Sequence, residues 1–150
     1  MINALTIANT VLSKSFQENK DITPMKLQKM IYFIYKKYLQ ETNVPLFSER
    51  FEAWRYGPVL TSVYDEFKSY GSNHIKNYYL RNDGKAWIVN MDSSEEFSDA
   101  FDFVWNKYSA LDGIYLSSLT HKIDSAWYIA VKSGNIFLDD NYIKEEEWYG

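Results

Sequence analysis

His121, Asp124 and Ser125 place an imidazole, a carboxylate and a hydroxyl within one short stretch, the group types that nucleophilic hydrolysis requires. Nothing else in the chain supports that chemistry. There is no cysteine, no Gly-x-Ser-x-Gly turn to expose a serine, and only one other histidine, His74. Neighbours of these types occur by chance in any globular chain, so catalysis is not expected. Two distant histidines offer no zinc spacing, and the acidic residues 139–147 lack the glycine and alternating oxygen ligands of a calcium loop. No phosphate-cradling glycine loop is present, so no metal or other cofactor is expected.

Recognition chemistry is better represented. Trp54-Arg55-Tyr56 joins the three residue types that dominate protein–protein binding energy, immediately before Gly57-Pro58. Two readings of this turn stand side by side. Trp54 and Pro58 could simply anchor the approach to a helix, or Arg55 and Tyr56 could contact a partner. Lys26 and Lys29 lie on a lysine stripe that could steer an acidic partner. Gln28 beside them is the one hint of a DNA-recognition helix. With only three arginines and a net charge of −4, nucleic-acid binding is not favoured.

Composition bounds the rest. At 150 residues, 46% hydrophobic, the chain suits one domain with its own core. Thirteen Tyr, nine Phe and five Trp exceed what a core of this size must hold, which leaves aromatic surface for contacts. The absence of cysteine fits a reducing compartment, and neither a signal segment nor a membrane-length apolar run is visible, so a cytoplasmic protein is expected. Charge is uneven. Residues 1–40 carry six lysines against Glu18 and Asp21, while residues 139–150 carry five carboxylates against Lys144. This asymmetry reads as a solvated basic face more readily than as internal pairing.

These groups must be positioned by a mainly α domain with a small antiparallel sheet. Apolar spacing predicts a helix over residues 2–17. A second runs from Pro24, capped by Thr23, to about Glu41, with Lys26, Lys29 and Lys37 on its solvent side. Pro58 is expected to open a third helix that ends before Gly71. Residues 78–81 and 86–89 flank a turn-rich tetrad and predict a hairpin, with residues 51–54 as a possible third strand. Ser93 with Glu96 predicts a capped fourth helix, Asp112 a fifth, and Asp124 a sixth closed by Gly134, with a last turn in the acidic tail. Leu27, Ile31, Ile34, Tyr64, Phe67, Phe101, Trp105, Leu116, Leu119 and Trp127 are expected in the core.

Five stretches in order resemble the Panacea domain of SocA-like antitoxins. They are the 25–33 segment around Leu27-Gln28-Lys29, the run Phe51 to Val59 through Trp54-Arg55-Tyr56-Gly57-Pro58, Val63-Tyr64 with Tyr70-Gly71, Val104 to Tyr108, and Leu119-Thr120-His121 with Ser125-Ala126-Trp127. Ala126 departs from the proline expected before Trp127, and residues 78–89 match no pattern. The resemblance implies a non-catalytic antitoxin from a bacterial or prophage toxin–antitoxin system that silences a cognate toxin by direct binding. Some relatives look like adaptors that hand a toxin to a Clp protease, which is one alternative; a DNA-binding regulator of a mobile element, read from the mainly helical chain with its lysines, is another. A homo-oligomer stays open. His121 reads first as a partly buried imidazole hydrogen-bonded near a helix end, with Asp124 as a candidate partner; through the Leu-Thr-His word, the resemblance implies the alternative of a toxin-contacting groove with Tyr32 and Trp54.

Overall fold

The computed structural model describes residues 2–150. In chain order it contains α1 (Ala4–Glu18), α2 (Pro24–Thr42), β1 (Glu52–Trp54), β2 (Gly57–Val59), α3 (Thr61–Phe67), α4 (Glu95–Tyr108), α5 (Gly113–Thr120), α6 (Ala126–Ser133) and α7 (Asp140–Glu145). The mainly α architecture with a two-stranded antiparallel sheet agrees with the reading of the sequence. Local capping explains the helix limits. Asn3 accepts from the Thr6 amide and Thr23 from the Lys26 amide, Pro24 opens α2, and Asn19 and Asn43 close α1 and α2 in the left-handed conformation.

Helix α2 is the axis of the fold, touched by α1, α3, α4, α5, α7 and β2. Its apolar stripe, with Leu27, Met30, Ile31 and Ile34, packs into the core. Much of the polar stripe is buried as well, which corrects the expected solvent-facing lysine face at Lys26 and Lys29, whereas Lys37 stays partly exposed and pairs with Glu41. Lys26, Lys29 and Lys36 are almost fully enclosed, and each finds an oxygen from another element. Lys26 donates to the Ser109 carbonyl after α4, Lys29 to Pro58 in β2, and Lys36 to Glu146 in the C-terminal tail. A buried amine needs such acceptors, because a buried polar group without one costs several kcal/mol, and among the described residues Lys36 alone of the three also gains a counter-charge.

The chain around Pro58 also departs from expectation. Pro58 does not start a helix; it sits in β2 opposite Ala53, and Trp54 pairs with Gly57 across the two-residue turn Arg55-Tyr56. A proline can occupy a short edge strand because its missing N–H is not needed there. Gln28 holds the junction that follows, donating to the Leu60 carbonyl and accepting from the Leu60 amide. That delays α3 to Thr61. On the other side of β1, residues 136–138 run alongside through Ala53 N–H to Ile136 O and Leu138 N–H to Phe51 O.

The hairpin expected over residues 78–89 does not form strands. Asn9 on α1 takes the role of the ladder: it accepts from the Tyr79 amide and donates to the carbonyls of both Tyr79 and Trp87. Thr10 accepts from the Val89 amide. The two arms are therefore tied to a helix and not to each other, apart from the bond between Arg81 and Lys85. Two caps shift by one residue: Ser94, not Ser93, caps α4, and Ser125, not Asp124, caps α6. Of the expected core, Tyr64 lies at the surface and Trp127 is half-buried; the other eight are buried. Phe101, 2% exposed and stacked on Trp105, should cost about 3–5 kcal/mol as Phe101→Ala, read from the urea midpoint of unfolding.

Candidate protein-recognition site

The β1–β2 turn is held by three consecutive backbone carbonyls. Trp127 Nε1 donates to Trp54 O at 2.6 Å, His121 Nε2 contacts Arg55 O at 2.9 Å, and Ser117 Oγ donates to Tyr56 O. The three donors come from α5, its C-terminal cap and α6. With its oxygens turned inward, the turn projects the side chains of Arg55 and Tyr56 into solvent, Tyr56 being 56% exposed. His121 is also fixed at its other nitrogen, where Nδ1 lies 2.6 Å from Ser117 O, and its ring packs 4.0 Å from that of Trp127. A carbonyl oxygen only accepts. Both histidine contacts are therefore hydrogen bonds at once only on the doubly protonated ring.

Beside this turn lies an open cavity of about 440 Å³. Met25, Val59 and Val63 give it aliphatic walls, and Trp54 meets Tyr64 edge-on at 4.7 Å along one side. Arg55 and Lys68 also line it, and the side chain of Lys29 lies behind them. Among the described residues no carboxylate lines the cavity. Arg55 leans over the Tyr56 ring, 5.4 Å from its centre, which partly orders both side chains before any partner arrives.

The residues singled out in the sequence divide between this site and the core. Trp54, Arg55 and Tyr56 form the site, Lys29 backs it, and His121 supports it from beneath. Lys26 and Tyr32 are not part of it. Lys26 is buried against Ser109, and Tyr32, wholly enclosed, donates to Glu146. The groove expected from His121, Tyr32 and Trp54 together is therefore corrected: Tyr32 is fully enclosed, with its hydroxyl on Glu146 beside the Ala126 amide, and offers no surface. Asp124 is not the partner of His121, and His74 is exposed away from the site. Sequence reasoning missed Val59, Val63, Tyr64 and Lys68 as lining residues and Ser117 and Trp127 as supports. The Ser-x-Trp word carried a signal for Trp127. Tyr64 was hidden by its helical spacing, which suited a core position equally well.

Burial pushes the Lys29 ammonium down to about 7 from its ordinary 10.5. Between those values the unfolded chain holds a proton that the folded chain has released, so stability rises with pH. For one group the slope is at most about 1.4 kcal/mol per pH unit. Burial shifts Lys26 and Lys36 downward too, with the same sign. Above about pH 10 the trend reverses, because burial raises Tyr32, Tyr35 and Tyr108 and the folded state keeps protons that the unfolded chain loses. Urea unfolding between about pH 7.5 and 9.5 should show the rise. Lys29→Met should flatten it by up to about 1.4 kcal/mol per unit; an unchanged slope would mean that Lys29 stays charged in the folded state.

Residues 27–128 match the family model described as Antitoxin SocA-like, Panacea domain, a span that includes the 54–56 turn and the residues that hold it. The chain belongs to that family, and membership supports an antitoxin role in a toxin–antitoxin system and implies a cognate toxin. It is also similar to Antitoxin SocA of Caulobacter vibrioides (strain NA1000 / CB15N), 27% identical over 129 residues that cover 84% of this chain and 69% of the relative. No solved structure matches.

Proposed function

We propose that this protein is an antitoxin that neutralises its toxin by direct stoichiometric binding, without chemistry of its own, and that the 54–56 turn with its adjoining groove is the contact face. One observation carries the choice of face: the turn is immobilised through its backbone while Arg55 and Tyr56 stand free beside an apolar cavity. Such preorganisation spares a binding surface the entropy of ordering at the moment of contact. The non-catalytic reading draws support from the candidate base and nucleophile. Both nitrogens of His121 face backbone carbonyls, and Ser125 is buried as a helix cap with its hydroxyl on Thr120 O. The DNA-binding alternative loses its basis in α2, whose Lys26, Gln28 and Lys29 point inward. The chain is proposed to act as one domain in the cytoplasm. Among the described residues no helix is long and apolar enough to cross a membrane.

Co-expression with each neighbouring open reading frame should identify the toxin through growth rescue and co-purification. Arg55→Ala and Tyr56→Ala should each weaken toxin binding about 30-fold, the effect of a 2 kcal/mol hot spot, while leaving the urea midpoint nearly unchanged. Unaltered affinity in both would return the turn to pure architecture. Titration should abolish toxicity near a fixed molar ratio. Inactivation of excess toxin by trace protein alone would indicate an enzyme, and rescue that requires a Clp protease would indicate an adaptor.

A further inference from the structure

We infer that the groove beside the 54–56 turn takes a toxin segment that presents a large apolar side chain flanked by carboxylates. This deepens the binding reading above and rests on it. The walls are suited to an apolar anchor: Met25, Val59 and Val63 face the space, and the Trp54–Tyr64 pair closes one side. At about 440 Å³ the space falls within the range of sites that enclose a ligand group.

Charge selects among apolar anchors. The two exposed charged residues that line the groove, Arg55 and Lys68, are both cations, although the chain as a whole carries −4. Among the described residues Arg55 has no carboxylate partner; its neighbour is the face of Tyr56. Lys68 has one, Asp65 at 3.5 Å, with both side chains more than half exposed, and such a pair is readily exchanged. A basic segment would face these cations with nothing to neutralise them. A wholly apolar one would strip water from Arg55 and Lys68 and offer no replacement. Carboxylates beside the anchor meet both requirements.

The test uses the full isotope-labelled chain and three acetylated, amidated hexapeptides with one apolar centre: Gly-Asp-Leu-Phe-Glu-Gly, Gly-Asn-Leu-Phe-Gln-Gly and Gly-Lys-Leu-Phe-Lys-Gly. Titrations are followed at the Trp54 indole and at the Val59 and Val63 amides. The acidic peptide should give a saturable shift centred on the groove, at least about tenfold tighter than the neutral one, with the basic peptide weakest. The double variant R55E/K68E, with its fold checked by circular dichroism, should reverse that order. An acidic peptide with glycines in place of Leu-Phe should lose the shift. Equal affinities, a preference for the basic peptide, shifts elsewhere, or no saturable shift would each overturn the inference. Failure to rescue growth with any neighbouring gene, alongside a retained acidic preference, would refute the antitoxin reading and leave the groove's chemistry standing. Rescue without an acidic preference would do the reverse.

Discussion

Glu146→Ala is expected to lower the unfolding free energy by about 3–5 kcal/mol, the cost of leaving a buried charge without its partner. The Glu146 carboxylate is the hub of the C-terminal tail. One oxygen accepts from the Tyr32 hydroxyl at 2.9 Å and from the Ala126 amide at 3.0 Å, and the other takes the Lys36 ammonium at 2.9 Å. The two charged side chains are only 1% and 2% exposed. Lys36 gives a further hydrogen bond to Glu147 O and lies 4.1 Å from the centre of the Trp148 ring. Removing the carboxylate therefore strands an ammonium, a phenol and an amide where water does not reach. The double variant Lys36→Met with Glu146→Leu removes both charges and should recover most of the loss, because a buried ion pair is often worth no more than an apolar pair of similar volume. A thermodynamic cycle over the four proteins, read from urea unfolding, isolates the coupling. If Glu146→Ala alone cost less than about 1 kcal/mol, water would have to reach Lys36 and the tail could not be sealed against α2.

The same hub accounts for the departure at residue 126. Where proline is expected from the resemblance, Ala126 supplies an N–H that proline lacks, and Glu146 uses it at the first turn of α6. The charge asymmetry between the ends of the chain is thus partly internal pairing. Tyr35 with Asp140, Gln40 with the carbonyls of Lys144 and Glu146, and Trp148 with Gln40 extend the seam along α2.

What was legible in the sequence was local. Thr23-Pro24 and Asn43 bound α2 because capping is decided within a few residues, and Asp112 caps α5 for the same reason. The lysines of α2 were misread because helical spacing shows which residues share a stripe, not whether that stripe meets water. Their acceptors, at residues 58, 109 and 146, are contributed by distant parts of the chain. The 78–89 segment has the turn chemistry of a hairpin, but its pairing groups go to Asn9, about 70 positions upstream. His121 was legible as an imidazole beside Asp124 and Ser125, and Trp127 as a core residue, but neither as a support of the turn. Their task, holding the turn by its carbonyls, joins residues 66 and 73 positions apart and has no local signature. The triplet at the proposed site could be singled out because its residue types are those that dominate binding energy, and the structure exposes Arg55 and Tyr56 while half-burying Trp54.

Gly57→Ala should damage stability and recognition together, at about 2–5 kcal/mol. Gly57 has φ +113°, a conformation that side chains with a Cβ rarely adopt. The space is closed as well: a Cβ there would lie 2.5 Å from Thr120 Oγ1 and 3.1 Å from Lys29 Cε. Thr120 cannot easily yield, being fully buried with its hydroxyl on Ser117 O. Either the turn lifts off its clamp or α5 moves, and Ser117, His121 and Trp127 then lose their grip on residues 54–56. Adding Thr120→Ala should relieve the collision but not the backbone strain, recovering about 1–3 kcal/mol of stability. Toxin affinity should remain below that of the parent even where the double variant is fully folded, because the strained turn no longer presents Arg55 and Tyr56 in one geometry. This separates Gly57→Ala from Arg55→Ala and Tyr56→Ala, which should lose affinity with stability nearly intact. A Gly57→Ala protein with parental urea midpoint and parental affinity would show that the turn does not hold this conformation.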